Sequence, residues 1–116
     1  MKVKRIVANI SASEPSRMDE FYQGILGLKV VMDHGWLRTY AGSAKMMVQV
    51  SCASQGGSGT PVPDLSIEVD DIDEAVHRIQ TSKIPIEYGP ISEPWGVRRF
   101  YVKDPLGRLI NIFQHE

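Results

Sequence analysis

The stretch DLSIEVDDIDEAVHRIQTSK (64–83) decides the fold, because two periodicities meet inside it. DLSIEV alternates, with Leu65, Ile67 and Val69 on one face and Asp64, Ser66 and Glu68 on the other, as a half-buried strand does. From Asp71 the period changes. Ile72, Ala75, Val76 and Ile79 fall at i, i+3, i+4 and i+7, one stripe of an α-helix. Asp71 with Glu74 three residues on reads as a capping box. Downstream, IPIEY, VRRFYV and RLINIF read as three further strands, the last two joined by an Asp104-Pro105-Leu106-Gly107 turn.

The same order stands upstream. KVKRIVANISA is a strand that places Ile6, Ala8 and Ile10 on one face and Val7 and Asn9 on the other. Pro15 suits the first turn of a helix, with Ser13 or Glu14 before it as cap. Met18, Phe21, Tyr22 and Ile25 form a helical stripe, and Gly27 fits its end. KVVMD, WLRTYA and KMMVQVS then give three strands, with turns at Asp33-His34-Gly35 and Gly42-Ser43. CASQGGSGTPVP (52–63) carries no periodicity and marks a linker. The expected organisation is a single α+β domain of two βαβββ modules. Module one covers 1–52, the linker 53–63 and module two 64–116. One helix cannot cover both faces of such a sheet, so two copies are expected to curl into an incomplete barrel, helices outside and a concave cleft inside. Periodicity assigns Ile6, Ala8, Ile10, Leu65, Ile67, Val69, Ile110 and Ile112 to the helix side. It assigns Val7, Asn9, Met47, Gln49, Asp64, Ser66, Leu109 and Asn111 to the cleft, where a small molecule would sit.

Composition narrows the function. Thirteen basic and fourteen acidic side chains leave a charge of −1, without the basic excess of a nucleic-acid binder. No apolar run approaches the ~18 residues of a membrane span. The single cysteine, Cys52, cannot close an intrachain disulfide, which with no signal-peptide pattern points to a cytoplasmic protein. His34, His77 and His115 lie far apart in the pattern and off the cleft strands. Cys52 has no His near it in sequence, and the glycines of QGGSGT open no helix and bring no Lys, so neither a nucleophile nor a phosphate loop is indicated.

RIVANISASEPSRMDEFYQGILGLKVV resembles the opening module of the vicinal oxygen chelate superfamily. DLSIEVDDIDEA and DPLGRLINIFQ resemble the strand–helix start and final hairpin of its second module. The superfamily includes glyoxalase I, extradiol dioxygenases, methylmalonyl-CoA epimerase, fosfomycin-resistance enzymes and bleomycin-resistance binding proteins. Its metal-dependent members place ligands at positions that correspond here to Val7, Gln49, Asp64 and Asn111. A catalytic divalent ion usually takes three or more His, carboxylate or thiolate ligands, and this set offers one carboxylate, so neither metal nor other cofactor is expected. The EPWGVRRF run (93–100) resembles the bleomycin-resistance branch, whose metal-free dimers sequester a drug in aromatic-lined clefts. The resemblance thus implies a homodimeric small-molecule binder of antibiotic-resistance type. The residues expected to line its site are Trp36, Tyr40, Gln49, Asp64, Trp95, Arg99, Tyr101 and Asn111. Trp36 and Trp95 would wall an apolar slot, and Arg99, on the face of Tyr101, would anchor an anionic or carbonyl group. Asp64 is either a partly desolvated carboxylate able to act as general base or a water-exposed residue at the strand mouth. The alternative is a superfamily lyase, isomerase or dioxygenase using Asp64 or a weakly held metal.

Overall fold

The computed structural model describes residues 1–25, 27–43 and 49–116. The chain is α+β, and strands and helical turns follow in the expected order. They are β1 (Val3–Ser11), a 3₁₀ turn (Pro15–Met18), a π-helical turn (Glu20–Ile25), β2 (Lys29–Asp33), β3 (Leu37–Ala41) and β4 (Gln49–Ala53). After the linker come β5 (Leu65–Val69), α1 (Ile72–Thr81), β6 (Ile86–Glu93), β7 (Val97–Lys103) and β8 (Leu109–His115). No described helix is long and apolar enough to cross a membrane. The first residues expected in the fourth strand, Lys45 to Val48, lie outside the described residues, as does Met47 of the expected cleft set. Two compact units divide the chain, one of Met1–Ile6 with Pro63–Glu116 and one of Val7–Val62.

In the first of these units the strand order is β1-β5-β8-β7-β6. β5 pairs parallel with β8, and β8 antiparallel with β7. The core lies under α1. Val69, Ile72, Ala75, Phe100, Val102 and Ile110 are buried together, with Leu65, Ile67, Val76, Ile79, Ile86 and Ile112 packed around them. These are the alternate apolar positions of β5 and β8 meeting the helical stripe, as the periodicity predicts. The helix start is tied down twice. The Asp71 side chain accepts from the Glu74 N–H at 3.0 Å, while the Ile72 N–H donates to Gln114 Oε1 at 3.0 Å. The Glu74 carboxylate does not return to Asp71; it takes Arg78 one turn on, at 2.8 Å. The β7–β8 turn is closed by Asp104 Oδ1, which accepts from the Leu106 and Arg108 N–H groups at 2.9 Å each. At Gly89 in β6, φ is +78° and an added Cβ would stand 2.6 Å from the Arg99 carbonyl oxygen. Only glycine lets β6 come this close to β7, and the register shifts on both sides of Tyr88.

In the other unit the order is β2-β3-β4-β1, with β1 and β4 parallel. Here the helical expectation fails. The segment is a 3₁₀ turn followed by a π turn, with Gly24 inside the latter lowering its α-helical propensity. A π turn bonds i to i+5, so residues three, four and seven apart no longer share one face. Phe21 is consequently 51% exposed and Ile25 72%. Without a helical ridge above them, Ala8 and Ile10 are exposed rather than covered, and Ile6, in the first unit, is exposed as well, which corrects the assignment of all three to the core. Val7, on the other face, is buried.

Phe100→Ala should destabilise the protein by about 3–5 kcal/mol, whereas Ile6→Thr should change stability by less than about 0.5 kcal/mol. Chemical denaturation of both variants measures the difference. Equal losses would show that the Ile6 face is core after all.

Candidate functional site

The face of β5-β8-β7-β6 turned away from α1 collects the polar and aromatic residues of its unit. Cross-strand pairing aligns Ser66, Asn111, Tyr101 and Tyr88 in one row and Glu68, Phe113, Arg99 and Ile91 in the next. Residues two apart on a strand share a face, so both rows look the same way. Arg99, 3% exposed, lies at the centre. Its Nη2 donates to Glu93 Oε2 at 3.0 Å and its Nη1 to the Tyr101 hydroxyl oxygen at 3.0 Å. The Tyr88 hydroxyl donates to the other Glu93 oxygen at 2.8 Å. Three rings surround the guanidinium, with centroids at 4.9 Å (Trp95), 5.0 Å (Tyr101) and 5.4 Å (Tyr88). A buried guanidinium is held by a carboxylate and by ring faces, and both are supplied here. Arg98, one residue away, points to the other side, where it reaches Asp73 at 3.7 Å.

A second charged pair sits along the same face. Arg5 donates to Glu68 and lies over the Phe113 ring at 5.6 Å, and Phe113 meets His115 edge-on. Burial pushes the Glu68 carboxyl up, but the Arg5 hydrogen bond and charge, with His115 and Lys4, more than reverse this and hold it below the usual range.

Arg38 and Tyr40 stand 61 residues before Arg99 and Tyr101, yet they face the helical turns of their own unit. Arg38 grips Asp19 through two nitrogens at 2.7 and 2.8 Å and Asp33 through a third at 2.7 Å. The Tyr40 hydroxyl donates to Asp19, and its ring stacks on Tyr22 at 5.3 Å. The cause is register. Gln49 pairs with Ala41, whereas its counterpart Asn111 pairs with Tyr101. One residue of slip turns a side chain to the opposite face. The Arg38 hydrogen bond, then that of Tyr40, holds the Asp19 carboxyl below its ordinary value of 3.8. Burial, then Asp19, pushes the Tyr40 hydroxyl up to about 12.

The structure therefore brings together four of the residues singled out from sequence: Trp95, Arg99, Tyr101 and Asn111. Trp36 is half-buried and stacks on His34 at 5.7 Å. Gln49 is half-buried in β4. Asp64 is exposed, and its carboxylate accepts from the Leu109 N–H at 3.3 Å. Cys52 is fully buried, which pushes its thiol up. Sequence reading missed Tyr88, Glu93, Glu68, Arg5 and Phe113. A signal existed for two of them: Glu68 alternates with Ile67 and Val69, and Glu93 opens the EPWGVRRF run.

The positions where the superfamily resemblance puts metal ligands do not fit a divalent transition-metal centre. Val7 has no donor atom, and Gln49 and Asn111 are neutral amides. Among the described residues no three His, Cys, Asp or Glu side chains converge, and residues 26 and 44–48 include none of these types.

A family profile described as a glyoxalase-like domain matches residues 3–115. The chain belongs to this glyoxalase-like family, within the vicinal oxygen chelate superfamily. Solved structures agree on the fold. A Vibrio splendidus 12B01 member of the glyoxalase/bleomycin resistance protein/dioxygenase superfamily is similar at 18% identity and TM-score 0.67, over 97% of this chain and 99% of that one. Methylmalonyl-CoA epimerase from Mycobacterium tuberculosis is similar at 16% identity and TM-score 0.69, over 98% and 89%. A Legionella pneumophila structure described as an NAD-dependent benzaldehyde dehydrogenase is similar at 18% identity and TM-score 0.76, over 97% and 100%. No curated protein matches the sequence.

Glu93→Gln keeps the Tyr88 hydrogen bond but strands the buried guanidinium, and should cost about 3–5 kcal/mol. Asp73→Asn, at the exposed Arg98 pair, should cost no more than about 1 kcal/mol. Similar costs in urea denaturation would contradict the buried pair. Because the folded Asp19 pKa is depressed, its stabilisation is complete above the ordinary value of 3.8 and is lost as pH falls through the lower folded value. Arg38→Gln should move the Asp19 carboxyl titration, followed by NMR, upward; an unmoved midpoint would contradict Arg38 as the cause.

Proposed function

We propose that the protein is a metal-free small-molecule binding protein of bleomycin-resistance-like type. It holds an apolar or aromatic compound against the helix-free face of β5-β8-β7-β6. One observation carries the reading: half-exposed Trp95 and Tyr88 frame a buried Arg99–Glu93 pair that is already neutralised from within. The rings offer stacking surface, and the two charges beneath them need no ligand counter-charge, so an uncharged aromatic compound can lie there without stranding an ion. Arg99 then sets the ring positions instead of anchoring an anion itself. Asp64 and Asn111, in the same unit as this face, remain proposed contributors. Function as a cytoplasmic homodimer that sequesters its ligand belongs to the same reading.

A superfamily enzyme with a carboxylate general base has less support. Glu68 and Glu93 are both held by arginines, and Asp64 stands in water. The fold likeness to methylmalonyl-CoA epimerase does not carry that enzyme's activity to this chain.

Tryptophan fluorescence should quench on titration with a panel of hydrophobic aromatic compounds, and Trp95→Ala should abolish the response. An unchanged response in Trp95→Ala would contradict the proposed face. The purified protein should contain no stoichiometric Mn, Fe, Ni or Zn by elemental analysis, and a thermal shift of several degrees with any of these ions would overturn the metal-free reading.

A further inference from the structure

Asn111 is 8% exposed, and its Nδ2 donates to Ser66 Oγ at 3.1 Å. Its Oδ1 is buried and has no hydrogen-bond partner among the described residues. Buried amide oxygens in native proteins are nearly always satisfied, so this acceptor points to a group that the isolated chain does not supply. Its surroundings show where that group enters. Along β8 and across the ladder, Asn111 is flanked by Tyr101 and Phe113, both buried, and by Ser66 and Leu109, both half-exposed. The cover over Asn111 is therefore thinnest on the Ser66–Leu109 side. On that side Asp64 is exposed, held to Leu109 by its own N–H and by its carboxylate. On that side a ligand would find the exposed Asp64 carboxylate and the half-exposed Ser66 hydroxyl at the same end of β5. Arg5 and Arg99 on this face are engaged by Glu68 and Glu93.

We propose that Asn111 Oδ1, with Asp64 at its mouth, forms a donor-reading subsite: the ligand is an aromatic compound that carries an N–H or O–H group and no anionic group. This rests on the binding function proposed above and adds to it the polarity of the ligand. The donor satisfies the orphaned oxygen, and a carboxylate on the ligand is repelled by Asp64. With the Asn111 amide turned over, its NH₂ would face the site and an acceptor would be preferred instead, so the two orientations predict opposite selectivity.

The test is an NMR titration of isotope-labelled full-length protein with 2-naphthol, 2-methoxynaphthalene and 2-naphthoate. The proposal expects 2-naphthol to bind about fivefold tighter than its methyl ether, with 2-naphthoate weakest. It also expects 2-naphthol to shift the Asn111 side-chain amide resonances. Asn111→Leu should bring 2-naphthol and the ether to equal affinity. Should that variant not fold, the affinity ratio and the Asn111 shift in the unaltered protein decide the matter. Equal binding of the two neutral probes, or preference for the ether, with the Trp95 resonance perturbed, overturns the subsite and leaves the aromatic face standing as a binding surface. Binding of none of the three probes overturns both.

Discussion

Burying the Arg99 guanidinium is the constraint on which the second module is arranged. A cation 3% exposed must find a counter-charge and donor-satisfying oxygens within the protein, or the module would not fold around it. Glu93 supplies the charge, Tyr101 an oxygen, and Trp95, Tyr88 and Tyr101 the ring faces. These groups come from both strands of the β6–β7 hairpin and from the turn between them. The pair can form only if the two strands meet closely, with the register shifts around Tyr88 that Gly89 permits. Strand geometry, charge satisfaction and the aromatic surface are therefore one linked arrangement.

Alternation then divides the module. With Arg99 and Tyr101 on one face, Phe100 and Val102 must lie on the other, where α1 covers them. That division was legible in the sequence. Leu65, Ile67 and Val69 alternate cleanly, and the stripe of Ile72, Ala75, Val76 and Ile79 matches them. Asp71 and Asp104 announce the helix start and the hairpin turn by their local chemistry. Such signals need only residues close in sequence, which is why they survive without a structure.

The rest depended on distances that sequence spacing does not carry. The likeness of Arg38 and Tyr40 to Arg99 and Tyr101 is real at a spacing of 61, but strand pairing runs one residue out of step with it and reverses the face. The Met18–Ile25 stripe reads as an α-helix, yet the chain there is wound as 3₁₀ and π turns, leaving Phe21 and Ile25 exposed. Arg38, Asp19 and Tyr40 form a network linking that segment to β3, a tertiary arrangement that helical periodicity does not encode. Glu93 and Glu68 look like ordinary surface acids until their arginine partners, six and sixty-three residues away, are placed.

The most direct measurement is a crystal structure of the purified protein, solved as isolated and after soaking with an uncharged aromatic compound. Density for a flat ligand against the Trp95 and Tyr88 rings, with Arg99 still on Glu93, is the predicted result. A face filled by the protein's own side chains, or a divalent ion bound at Asp64 and Asn111, would contradict it.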